Sequence, residues 1–214
     1  LVEFSKKIGL SVGEFKKLVS RIQKGERESR SAKKERVEAN LRLVISIAKK
    51  YNRPVHVLHI TTAQEMDYLR QNKDVASVEV LPNHLSMHAP DCYEEKGTLA
   101  QQNPPIREKH HQDALWKAVN DGTVDILGSD HAPHTLDEKS GTYPDTPSGT
   151  PGVQTMLPVM LNHVSEGKLS YEKLIDLLAY GPIRVHKIKN KCEIKEGNDA
   201  DFTIVDPNMT HIIK

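Results

Sequence analysis

From Asn52 onward the sequence repeats one pattern: a short apolar run, then a polar side chain able to bind a metal or move a proton. Val55-His56-Val57-Leu58-His59-Ile60, Val78-Glu79-Val80-Leu81 and Val124-Asp125-Ile126-Leu127 each read as a buried strand. His59, His84 and Asp130 stand at or just beyond their carboxyl ends. Helical patterns lie between. Thr62-Ala63-Gln64-Glu65 is a capping box opening a helix to about Gln71. Ala114, Leu115, Ala118 and Val119 mark one face of a second helix, which Gly122 stops. Alternating strands and helices predict an α/β fold with a parallel sheet, and in α/β barrels the carboxyl strand ends are where catalytic groups gather.

A lone histidine after a strand is more often hydrogen-bonded structure than a ligand. Three metal-competent groups in the same relative position change that balance, so His59, His84 and Asp130 are read together as metal ligands. Imidazole with carboxylate suits zinc, ahead of manganese or iron. Asp130 can also exchange a proton with an attacking water. His56 falls on the other side of its strand and reads as structural. For His88, His110, His111, His163, His186 and His211, surface or helix-packing roles suffice.

The first 51 residues differ in kind. They hold fourteen Lys and Arg against six Glu and no Asp, whereas all 11 histidines lie after Tyr51. Ser11-Val12-Gly13-Glu14 is a capping box, with Leu10 and Phe15 placed as a hydrophobic staple, so a helix is expected from Val12 to about Gln23, ended by Gly25. Val37, Leu41, Val44, Ile45 and Ala48 recur at helical spacing, and Leu43 and Ile47 widen that face. Charge alone favours a solvated helical hairpin over a nucleic-acid contact, because no aromatic residues interleave the basic ones.

The 214 residues, 37% hydrophobic and 28% charged, are enough for a sizeable core. No run approaches the ~18 apolar residues that cross a bilayer. Two cysteines a hundred positions apart, Cys92 and Cys192, point to a reducing compartment, read as cytoplasmic. The chain starts at Leu1 without methionine, and a longer parent is expected. Further helices are predicted around 154–165 and 171–180, broken at Gly181-Pro182. Cys192-Glu193-Ile194 and Phe202-Thr203-Ile204-Val205 alternate about a turn at Gly197-Asn198, which predicts a small antiparallel hairpin.

Lys33-Lys34-Glu35-Arg36-Val37-Glu38-Ala39-Asn40-Leu41-Arg42-Leu43-Val44-Ile45-Ser46-Ile47-Ala48-Lys49-Lys50-Tyr51 resembles the start of conserved region two of a primary bacterial sigma factor. Residues 1–32 resemble the helical segment upstream of it. The resemblance implies contact with RNA polymerase through residues 1–51. It stops before the family's main polymerase-clamp contact and promoter-melting helix, so transcription initiation is not expected of this chain.

A second resemblance covers the rest. Val57-Leu58-His59-Ile60-Thr61-Thr62, Leu81-Pro82-Asn83-His84-Leu85 and Gln102-Asn103-Pro104-Pro105-Ile106-Arg107 occur in order, followed by Gly128 to Glu138 and then Pro-Ser-Gly-Thr-Pro-Gly at 147–152. With Ala200-Asp201-Phe202-Thr203-Ile204-Val205-Asp206, they are similar to the carboxyl-terminal part of a dihydroorotase, in the amidohydrolase superfamily. That resemblance implies a partial (β/α) barrel with a return to a small β-domain. It also implies reversible cyclisation of N-carbamoyl-L-aspartate to dihydroorotate, in pyrimidine synthesis. By position, His59 and His84 match zinc ligands of a binuclear centre, and Asp130 matches the metal-binding carboxylate and general base. Asn103, His134 and Gly149 match substrate-binding positions.

The family's His-x-His strand with its following arginine, and its metal-bridging lysine or aspartate, have no counterpart in this sequence. A complete barrel takes ~250 residues. The expectation is therefore three parts: a sigma-like helical segment (1–51), a dihydroorotase-like partial barrel (52–190), and a β return (191–214). This chain alone is expected to be inactive, with its oligomeric state left open. Ala48-Lys49-Lys50-Tyr51 suits both families and marks the expected join.

Overall fold

A computed structural model describes residues 2–210. The chain divides into two compact units, Leu1–Ile47 and Ala48–Lys214. His211 lies outside the described residues.

The amino-terminal unit is helical. After α1 (Val2–Lys7), α2 runs unbroken from Val12 to Tyr51. The expected capping box starts it: Glu14 N–H donates to Ser11 Oγ at 3.3 Å, and Ser11 N–H donates to the Glu14 carboxylate at 2.9 Å. Gly25 does not end the helix, and the hairpin expected there is a single 40-residue rod. A helical glycine costs only about 1 kcal/mol relative to alanine. Pairs one turn apart carry the helix through: Lys24 with Glu28 at 3.7 Å, Ser31 Oγ with Glu35 at 3.2 Å, and Lys34 with Glu38 at 3.8 Å.

In the second unit, β1 (Val55–Val57), β2 (Ala76–Val80) and β3 (Ile126–Leu127) form a parallel sheet in that order, with Val55 opposite Ala76 and Glu79 opposite Ile126. β1 and β3 are shorter than their apolar runs, whereas β2 begins two residues before its run and stops short of Leu81. In β1 the chain leaves the ladder before His59. α3 (Ala63–Arg70) starts at the second capping box, where Thr62 Oγ1 accepts from Glu65 N–H and donates to the Glu65 carboxylate. α4 (Pro82–Ser86) follows β2 directly, and α5 (Asp91–Lys96) leads into a 3-10 turn, Gly97–Ala100. α6 (Lys109–Asn120) precedes β3, and α7 (Leu136–Lys139) comes after it. Val78, Val80, Leu81, Leu85, Leu115 and Val119 are fully buried about this sheet.

α8 (Met156–Ser165) agrees with its periodicity. The expected break at Gly181-Pro182 is absent: α9 (Tyr171–Ile175) continues through a π turn, Asp176–Tyr180, into α10 (Gly181–His186). Proline is tolerated at a helix's first turn, and the π turn absorbs the register change. Gly181 is there for space. A Cβ on it would lie 2.1 Å from Asp125 O, so the helix rests against the β3 segment.

The predicted hairpin at 192–205 does not form among the described residues, which hold no strand beyond β3. Ile194 is 93% exposed and Ile204 95%. An alternating segment becomes a strand only against a partner edge, and none is offered here. Cys92 is buried and Cys192 exposed, and both are free thiols.

Candidate functional site

The carboxyl ends of the three strands carry His59, His84 and Asp130. His59 and Asp130 have positive φ, 37° and 44°, a left-handed backbone uncommon for residues with a side chain and frequent at functional sites. Glu79 holds the first turn. Its carboxylate accepts from His59 N–H at 3.2 Å and its carbonyl from Ile60 N–H at 2.9 Å. A Cβ on Gly128 would lie 2.5 Å from the same carboxylate, so glycine at the end of β3 makes room for it. His56 faces the same carboxylate, with Nε2 3.6 Å from Glu79 and Nδ1 2.8 Å from Ser77 Oγ.

His84 is 3% exposed, inside α4. Burial presses its pKa down to about 4, against a partly restoring hydrogen bond to Pro104 O. The charges of His59 and Asp130 act on it in opposite directions. Nε2 lies 3.0 Å from Pro104 O and 2.8 Å from the Gln102 amide nitrogen. Both neighbours lie on Nε2, so the ring makes its hydrogen bonds there and Nδ1 makes none. That atom is buried without a partner.

An imidazole nitrogen without a hydrogen-bond partner is where a zinc ion would bind. Nevertheless, among the described residues no three His, Cys, Asp or Glu side chains come together as a metal would need. The zinc set expected from His59, His84 and Asp130 is therefore not closed by these residues. His84 instead braces the 102–104 turn with its other nitrogen.

Of the three expected substrate-binding residues, His134 and Gly149 pack together, and Asn103 lies on a neighbouring stretch. His134 Nε2 lies 3.3 Å from Ser148 O. A Cβ on Gly149, whose φ is 144°, would lie 2.5 Å from Ala132 O and 3.1 Å from His134 Nε2, so only glycine fits between them. Gly149 N–H donates to Gln101 O at 3.0 Å, which ties this turn to the stretch that carries Asn103. Asn103 and Ser148 share the wall of a cavity of about 720 Å³ with Tyr93, Ile106 and Tyr143. No charged side chain lines it.

Sequence reasoning missed four supports, of which Glu79 is one. Asn83 donates to Gln102 Oε1 at 2.9 Å and to Thr150 Oγ1 at 2.8 Å, clamping both loops. His131 Nδ1 accepts from Gly152 N–H at 3.0 Å. Lys139 is buried beneath the same turn. Glu79 could have been noticed, because a carboxylate between two core valines must point to the opposite face of its strand. Other histidines make packing contacts, as His56 and His186 do edge-on with ring centroids 5.6 Å apart. His163 lies 2.8 Å from Ser86 Oγ and edge-on to Trp116.

The profile of the Amidohydrolase family matches residues 23–214. Its match therefore begins inside α2, upstream of the join expected at Tyr51. The chain is 38% identical over 154 residues to dihydroorotase of Halobacterium salinarum, covering 72% of this chain and 36% of that protein. It is 34% identical over 184 residues to dihydroorotase of Methanosphaera stadtmanae, covering 85% and 42%. Among solved structures, an L-hydantoinase (dihydropyrimidinase) from Arthrobacter aurescens superposes with a TM-score of 0.71 at 27% identity, over 75% of this chain and 37% of that one. The chain thus spans well under half the length of these relatives. No described helix is long and apolar enough to cross a membrane. Parallel strands with polar groups at one end, the motif order and these likenesses agree: the chain belongs to the amidohydrolase family and is dihydroorotase-like within it.

Proposed function

We propose that this chain carries the substrate-binding and proton-transfer portion of a dihydroorotase, a segment of its α/β barrel, and that alone it does not turn over. The reaction is the interconversion of N-carbamoyl-L-aspartate and dihydroorotate. One observation carries the reading: Asp130, just beyond β3, opens the 128–152 segment in which His134 and Gly149 pack together, and that segment is tied to the stretch bearing Asn103.

In the ring-opening direction a water oxygen attacks the ring carbonyl and the ring C–N bond breaks. Asp130, an exposed carboxylate, takes the proton from that water and passes it to the departing ring nitrogen. Asn103 and His134 offer hydrogen bonds to the ring and its carboxylate. The Gly149 backbone closes one side. Zinc remains the family expectation. His59, His84 and Asp130 are the residues of this chain that would contribute to it, and further ligands would come from a His-x-His strand outside this sequence.

The test is a graft. Residues 52–214 replace the corresponding stretch of the Halobacterium salinarum dihydroorotase, and dihydroorotate hydrolysis is measured. The graft is expected to work, and Asp130→Asn within it to lower kcat by at least ~100-fold. A folded graft without hydrolysis would overturn the reading. Dihydroorotate turnover at enzyme-like rates by the zinc-loaded 214-residue chain would overturn the proposal that it is inactive alone.

A second reading concerns α2 only. Residues 33–51 keep the sigma-like order, while the amidohydrolase match overlaps them from residue 23. Salt-sensitive binding to bacterial RNA polymerase that survives deletion after Tyr51 would support a sigma-derived helix. Its absence would count against one.

A further inference from the structure

Lys139 is the last residue of α7 and only 4% exposed. Its Nζ donates to three backbone carbonyls: Gln101 O at 2.8 Å, Gly149 O at 3.0 Å and Pro147 O at 3.1 Å. These use all three of an ammonium's donors. Among the described residues no carboxylate pairs with it, and burial pushes its pKa down. An uncompensated buried cation is costly to keep, so a lysine that served only to fill space would be the wrong side chain here.

The three carbonyls come from two stretches far apart in sequence. Gln101 belongs to the turn that leads into Asn103, and Pro147 and Gly149 flank the turn beside His134. Gln101 O also accepts Gly149 N–H, and the Gln101 side chain donates to Thr146 O at 2.8 Å. The lysine is itself held from behind. Thr98 Oγ1 donates to Lys139 O at 2.6 Å, and the Thr135–Glu138 capping box fixes α7. Charge-assisted bonds from one point to three peptide planes fix the planes' relative orientation more firmly than neutral bonds would.

We infer that Lys139 is a positioning residue for the substrate loops: its buried ammonium ties the 101–103 stretch to the 147–149 turn and so sets where Asn103 and Gly149 stand. The roles of those two residues rest on the function proposed above. The tie itself does not.

The test uses the whole 214-residue chain, isotope-labelled for NMR. Amide exchange is read at Gly149, which bonds to Gln101 O, and at Gly128, which bonds to Val80 O in the sheet. Lys139→Met keeps the apolar stem and removes the charge. It is expected to speed exchange at Gly149 at least tenfold, to leave Gly128 unchanged, and to shift the Asn103 side-chain amide signals. Unchanged Gly149 exchange, or an unmoved Asn103 signal, overturns the proposal. Should Lys139→Met unfold the chain, Lys139→Ala with added methylammonium decides. Recovery of Gly149 protection supports the tie, and its failure to recover overturns it. No substrate enters this experiment, so failure here is distinct from failure of the graft.

Discussion

Residues 128–152 and residues 187–210 are both mostly irregular, yet they are held in opposite ways. In the first stretch the bonds reach far along the chain: Gly149 N–H to Gln101 O, Asn83 to Thr150, Lys139 to Gln101. In the second they stay local: Asp199 N–H to Asn190 O, Asn198 to Glu193 O, and Lys191 to Asp199. Thr146 and Gly149 are buried in the loop, while Phe202 is 69% exposed in the tail. Irregular backbone becomes a fixed site when distant elements satisfy its polar groups, because its opening then requires the unit to open. Among the described residues, the tail's hydrogen bonds and ion pairs make no such claim on the rest.

The largest effect should separate core from tail. Leu177 is 0% exposed in the π turn, and Leu177→Ala should cost about 2–5 kcal/mol in urea unfolding. Ile204→Ala, in the tail, should change stability by less than about 0.5 kcal/mol. An equal loss at Ile204 would mean the tail has a partner surface, and the contrast would fail.

Acid should act on the loop side next. The His84 pKa is lowered to about 4, and that of His111, whose Nδ1 accepts from Ala63 N–H, also to about 4, in both cases mainly by burial. The folded chain therefore binds fewer protons than the unfolded one between pH 6.5 and 4. Stability is fullest above pH 6.5 and falls as pH drops through that window, by roughly 3 kcal/mol for His84. Urea midpoints at pH 7 and pH 4.5 should show the loss, and His84→Gln should shrink it. A His84→Gln profile as steep as the parent's would remove His84 as the cause.

Much of the scaffold is legible in the sequence because it is local. Thr62 and Glu65 announce α3, and the apolar runs announce three parallel strands. What is illegible depends on distant partners. Gly25 looks like a stop, but flanking charge pairs carry the helix past it. Gly181-Pro182 looks like a break, yet the missing Cβ is needed against Asp125 O. Nothing near Lys139 in sequence reveals the carbonyls from 101, 147 and 149. The tail shows the converse: its alternation is strand-like, but a strand is a property of a pair.

Two glycines sharpen the contrast at a smaller scale. Gly181→Ala should cost about 1–3 kcal/mol, because the new Cβ meets backbone that cannot yield cheaply. Gly197 has a φ of 92° and open space around it, so Gly197→Ala strains only a local turn. Thermal unfolding should register the first and miss the second, although both substitutions add one methyl to a glycine.

The smallest effect tests whether loop rigidity is shared. Thr135→Ala removes the cap of α7, in which Thr135 Oγ1 accepts from Glu138 N–H at 3.2 Å and the Glu138 carboxylate accepts from Thr135 N–H at 2.8 Å. Lost caps cost about 1 kcal/mol. If α7 merely fraysat its exposed start, exchange at Gly149 should not change, since the Lys139 ammonium stays bonded at the other end of the helix. If the loop is one cooperative piece, Gly149 exchange should rise about fivefold, as 1 kcal/mol spread over the whole piece requires. The far-reaching bonds of 128–152 favour the second outcome. A tail residue with an equally local bond, such as Asn198, would show no response at Gly149 when replaced by alanine.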